Sequence, residues 1–175
     1  MSRLYTFNNA GPSKEEYEIL MDASKGMDLV LEFGPGSSTF AFIEAGVKQI
    51  ISCEYQQEWM DYLQRQFQDY DNVELVPFNG YLYPLSILYL DDLKFDMIFV
   101  DSPIGLHGRK SPRFENYEDC SRWNTLNWAV EHSDCVYLHD AHREGETNSL
   151  NKLKDSCDIQ VFNTEKGLAK IVKHS

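Results

Sequence analysis

Short apolar runs separated by longer amphipathic stretches recur along the chain, and this alternation constrains the fold more than any other feature. The runs are residues 28–33 (DLVLEF), 48–53 (KQIISC), 72–76 (NVELV), 95–100 (FDMIFV) and 134–138 (DCVYL). Strands buried on both faces read as such near-continuous apolar runs, and helices between them make a mostly parallel sheet. The helical stretches are a first helix to about Lys25, opened by a Ser13/Glu16 capping box, then 38–45, 57–68, 85–93, 113–131 and 142–154. Residues 159–162 and 168–172, joined by NTEKG, read as a closing antiparallel hairpin. Right-handed crossovers put the C-terminal ends of the parallel strands on one rim, where ligands of open sheets bind. The search for chemistry is thereby focused on residues 32–39, Glu54, Asn79, Asp101 and 139–143.

The 175 residues fit one domain, with 1–27 an N-terminal helical segment and 28–175 the core. Sixteen Lys and Arg against 28 Asp and Glu give a net charge of -12, which excludes a generally cationic surface for nucleic acid or anionic lipid. No apolar run approaches the roughly 20 residues of a membrane span, and the first residues show no secretory signal. The four cysteines are scattered and form no zinc-site spacing. A cytoplasmic protein with reduced thiols is the expectation.

Glu32-Phe-Gly-Pro-Gly-Ser-Ser-Thr39 follows the first strand and opens a helix. Gly34 and Gly36 permit a tight turn, and the helix start offers unpaired N–H groups. A ligand-free turn is as good a reading of this segment alone. A phosphate loop would need a Lys followed by Ser or Thr, which is missing. A dinucleotide fingerprint would need Gly or Ala where Thr39 stands. S-adenosylmethionine, which has no phosphate, is the third candidate. Glu54 favours it, because it ends the second strand about 20 residues beyond the turn, where a carboxylate accepts from both ribose hydroxyls.

VLEFGPGSSTFAFIEAG and IISCEY resemble the first two motifs of class I S-adenosylmethionine-dependent methyltransferases. FDMIFVDSP resembles that family's fourth strand, and VYLHDAHRE its fifth strand and following loop. The resemblance spans about residues 28–143. It implies a Rossmann-like three-layer αβα sandwich with a mostly parallel seven-stranded sheet, the C-terminal hairpin supplying the reversed strand. Carried over by position, Glu32, Gly34, Gly36 and Ser38 would surround the methionine part of S-adenosylmethionine. Glu54 would hold the ribose, Tyr55 would lie near the adenine, and Asn79 stands where the family often has an Asp for the adenine amino group.

Asp101 closes the fourth strand and is a candidate to anchor the methionine ammonium, position an acceptor hydroxyl or take its proton. His139, Asp140 and His142 follow the fifth strand and are candidate catalytic residues with it. The four could also ligate a divalent metal. Catechol-type O-methyltransferases, which the segment resembles incompletely, place metal carboxylates at similar strand ends. Without a metal, Asp140 could orient a His base. Arg143 and the basic loop with Arg109 and Arg113 suit a carboxylate or phosphate on the substrate, though such a loop equally fits a solvated surface. Asp101-Ser-Pro-Ile104 lacks the second Pro and the aromatic of DNA amino-methyltransferase motifs, which argues against a DNA substrate. Phe114, Tyr117, Trp123 and Trp128 read as core or helix packing rather than a substrate box.

The resulting expectation is methyl transfer from S-adenosylmethionine to a small molecule or sugar, most readily onto oxygen. VDSPIG and LHDAHRE loosely resemble glucuronoxylan methyltransferases, which favours a hydroxylated or acidic acceptor. The alternatives are a nucleotide-dependent Rossmann enzyme and a non-catalytic S-adenosylmethionine-binding module.

Overall fold

The computed structural model describes residues 11–78, 90–102 and 122–174. Seven strands form one sheet: β1 (Leu29–Phe33), β2 (Gln49–Glu54), β3 (Val73–Pro77), β4 (Met97–Val100), β5 (Val136–His139), β6 (Cys157–Phe162) and β7 (Leu168–Lys173). Their order is β3-β2-β1-β4-β5-β7-β6. The first five strands are parallel, and β7 runs antiparallel to both β5 and β6. The strand order reverses between β1 and β4, so the rim there is the topological switch point.

Period-two alternation divides the core between the two faces of the sheet. Leu31, Phe33, Ile98 and Val100 join Leu126 and Trp128 of α4 (Trp123–His132) and Leu150 of α5 (Glu144–Leu153) on one face. Val30, Met97 and Phe99 join Leu20 of α1 (Lys14–Ser24), Phe42 of α2 (Ser37–Ala45) and Leu63 of α3 (Gln57–Phe67) on the other. Met97, Ile98, Phe99 and Val100 are each fully buried, and such side chains contribute about 1.5–3 kcal/mol apiece relative to exposure. Trp128 belongs to the core and Trp123 packs against it, as core residues rather than a substrate box. Among the described residues, no helix is long and apolar enough to cross a membrane.

Among the described residues, the expected strands and the helices α1 to α5 are present with shifted ends. The capping box at α1 is complete: Glu16 N–H donates to Ser13 Oγ, and Ser13 N–H donates to Glu16 Oε2. The helix expected over 113–131 is described only from Trp123 onward, and residues 90–93 form a turn closed by Leu93 N–H on Leu90 O rather than a helix end. The rest of the expected 85–93 helix, the 103–112 loop, Phe114 and Tyr117 lie outside the described residues.

Candidate active site

Strand register brings the predicted residues into one row. Phe33 is paired with Cys53 on one side and Val100 on the other, and Val100 with Leu138. Gly34, Glu54, Asp101 and His139 are the next residues along these four neighbouring strands, so they line the rim at the switch point together.

Gly34 is required by its surroundings. Its φ is +92°, and a Cβ there would lie 2.9 Å from Ser102 Cβ and 3.0 Å from the Asp101 carbonyl carbon. Close approach of β1 and β4 at the turn therefore excludes a side chain. Gly36 differs: among the described residues a Cβ there would meet nothing within 4 Å, so the turn is open to them on that side. Trp59 of α3 fixes the turn from outside, donating from Nε1 to Pro35 O at 3.0 Å. The buried hydroxyls of Ser37 and Ser102 take no hydrogen-bond partner among the described residues. A turn with an open side and orphaned buried hydroxyls fits a polar ligand.

Glu32 and Ser38 form a buried cluster with Thr39 and Ser52. Glu32 accepts from Ser38 Oγ at 2.7 Å, Thr39 Oγ1 at 2.6 Å and Ser52 Oγ at 2.5 Å. Its carboxylate is fully buried and ties β1, α2 and β2 together. Burial pushes its pKa up to about 7 against the three donors. Thr39 Oγ1 also accepts from Gly36 N–H at 3.2 Å, so the residue that breaks the dinucleotide pattern holds the turn in shape.

Glu54 is buried, and its Oε1 accepts from the N–H groups of Tyr55 and Gln56, both at 2.7 Å. Burial raises its pKa despite those two bonds. Among the described residues no hydrogen bond is recorded to its Oε2. Tyr55 is half-buried and stands edge-on to Phe78. Asn79, Arg109 and Arg113 lie outside the described residues.

On the other side of the switch point lies a buried ionic network. His139 Nδ1 is 2.8 Å from Asp101 Oδ1, and its Nε2 faces Glu16 Oε2 at 3.4 Å, an ion pair without a formed hydrogen bond. Burial opposes the charge on His139, but Asp101, Glu16 and Asp140 overcome it and raise the pKa to about 9. Glu16 also accepts from Thr164 Oγ1 at 2.6 Å and Lys166 N–H at 3.3 Å. Burial opposes its ionisation too, and the facing His139 with the bonds from Thr164 and Ser13 holds it down at about 2.

Arg122 stands at the centre. Its NH2 group is 3.0 Å from both Asp101 Oδ1 and Asp140 Oδ2, and NH1 donates to His139 O at 2.8 Å. Burial raises the pKa of Asp101, but His139 and Arg122 outweigh it and leave the carboxyl below its usual range. Asp140 has a left-handed φ of 59°, uncommon outside glycine, and also receives Arg143 NH1 at 2.6 Å. Arg143, expected to meet substrate, thus spends its charge on Asp140 while remaining partly exposed.

Two expectations for this end are corrected. His142 does not join the cluster: it is exposed, and its ring lies over Gly167, where a Cβ would come within 2.6 Å of it. His139 stands between carboxylates that raise its pKa to about 9, which favours the imidazolium over a general base at neutral pH. Asp101, His139 and Asp140 do bring three possible ligand atoms within 4.8 Å of one another. These residues do not fit a divalent metal, because the Arg122 guanidinium already lies against both carboxylates at 3.0 Å. Sequence reasoning missed Arg122 altogether, and it read Glu16 only as a helix cap.

No family model and no curated protein matches the sequence. Solved structures do resemble the fold. An S-adenosylhomocysteine-bound methyltransferase of Podospora anserina, PaMTH1, superposes with a TM-score of 0.65 at 16% identity, over 95% of this chain and 81% of that one. An O-methyltransferase of Bacillus cereus in complex with S-adenosylhomocysteine gives 0.68 at 14%, over 95% and 84%. A precorrin-6y C5,15-methyltransferase of Geobacter metallireducens gives 0.66 at 13%, over 99% and 94%.

Proposed function

We propose, on the premise that this chain carries the Rossmann-like fold of the class I methyltransferases, that it transfers a methyl group from S-adenosylmethionine to an oxygen of a small molecule or sugar. The observation that carries the reading is the row Glu54, Gly34, Asp101, His139 along four adjacent strand ends at the switch point. Similarity to an O-methyltransferase supports oxygen as the acceptor atom.

S-adenosylmethionine, when bound, supplies an electrophilic methyl group on a sulfonium. Glu54 accepts from the ribose hydroxyls, and Tyr55 and Phe78 offer apolar surface beside it. The open side of Gly36 and the hydroxyls of Ser37 and Ser102 receive the amino-acid end. Asp101, held ionised by His139 and Arg122, orients the acceptor or the ligand's ammonium group rather than removing a proton. The main contribution of such a site is alignment and exclusion of water. His139 and Asp140 act through Asp101, and Arg143, partly exposed beside Asp140, meets an acidic substituent.

Calorimetry with S-adenosylmethionine, S-adenosylhomocysteine, NAD and ATP tests the reading. The first two bind and the others bind far more weakly; the reverse order would replace it with a nucleotide-dependent enzyme. Transfer of labelled methyl groups into a metabolite extract then separates an enzyme from a binding module.

A further inference from the structure

The only candidate metal-ligand group among the described residues, Asp101, His139 and Asp140, encloses a guanidinium. Arg122 comes from the start of α4, the carboxylates from the ends of β4 and β5. A cluster of carboxylates this deep requires a positive charge. Arg122 is only 3% exposed and meets Asp101 and Asp140 at 3.0 Å each, with Glu146 of α5 at 3.8 Å from Nε.

We propose that Arg122 is the resident cation of this cluster, in the position a divalent metal would otherwise take. A guanidinium supplies a charge that no chelator removes and a planar fork that sets carboxylate orientation. It supplies no open coordination position and no Lewis acidity. The inference concerns the same rim as the methyl transfer proposed above, but its test reads metal binding alone, so the two fail separately.

The experiment titrates Mn2+ into the purified, chelator-treated chain and follows binding by calorimetry and by the shift in thermal unfolding. The wild-type chain shows no saturable binding. Arg122→Ala frees the carboxylates of Asp101, Asp140 and Glu146 from their cation and gains one Mn2+ per chain. Mn2+ at a hundredfold excess over its dissociation constant then shifts the folding equilibrium of this variant about a hundredfold toward the native state. Asp140→Asn added to Arg122→Ala abolishes the gain. If Arg122→Ala does not fold, Arg122→Gln, which keeps donors without charge, takes its place in the same comparison. Stoichiometric Mn2+ binding by the wild-type chain, lost in Asp140→Asn, overturns the proposal. So does a folded Arg122 variant that is indifferent to Mn2+.

Discussion

The imidazole of His139 and the carboxylate of Asp101 meet at 2.8 Å across the ends of β5 and β4, and each favours the charged form of the other. His139 has its folded pKa raised from 6.5 to about 9. A raised histidine contributes stability that is fully present below about pH 6.5 and is lost as pH rises through 9. Urea unfolding between these limits shows stability of the parent falling by on the order of 3 kcal/mol. In Asp101→Asn the fall is smaller; an identical slope in the variant would remove Asp101 as the cause.

The two turn glycines separate stability from binding. Gly34→Ala places a Cβ 2.9 Å from Ser102 Cβ at a φ of +92°, costing about 1–3 kcal/mol of stability in a denaturant melt. Gly36→Ala meets nothing within 4 Å among the described residues, so it melts with the parent while its affinity for S-adenosylhomocysteine drops. Unchanged affinity in Gly36→Ala would place the ligand elsewhere.

Glu54→Ala weakens S-adenosylhomocysteine binding by about 1.5–3 kcal/mol, the worth of a charge-assisted hydrogen bond, or roughly ten- to a hundredfold. Circular dichroism of the variant remains that of the parent. A folded Glu54→Ala that binds as the parent does removes this carboxylate from the site.

Ser52→Ala takes one donor from Glu32, whose pKa burial has raised to about 7. The lost donor served the ionised form, so the pKa climbs further. Stability falls by about 1–3 kcal/mol at pH 8 and by less at pH 5.5, where the carboxyl is protonated in the native state. Equal losses at the two pH values would show that the hydroxyl does not act on the charge of Glu32.

The sheet was legible because apolar runs such as MIFV must be buried on both faces, and the turn because Gly34 obeys a local steric demand. The ionic network was not. Its members are 38 residues apart at Asp101–His139 and 17 at Arg122–His139, and no short-range pattern links them. Arg122 lies in a stretch that reads as ordinary helix, and only the packing of α4 over the β4 and β5 ends reveals its partners. Glu32 was read as a ligand contact because its position in the turn is visible in sequence; Ser52, 20 residues away, shows that it is committed inside the protein. His142 looked equivalent to His139, yet one residue ends a strand and the other sits exposed in the turn that follows.

Glu16 bonds to Thr164 across 148 residues of sequence. Its other partner, His139, comes from the strand before the closing hairpin. Contacts at such separation form only after the intervening chain has collapsed. The contacts of Glu16 with His139 and Thr164 therefore close only when the first helix and the last turn have both arrived, so the capping residue of the first helix is also the latch that joins the two ends of the described fold.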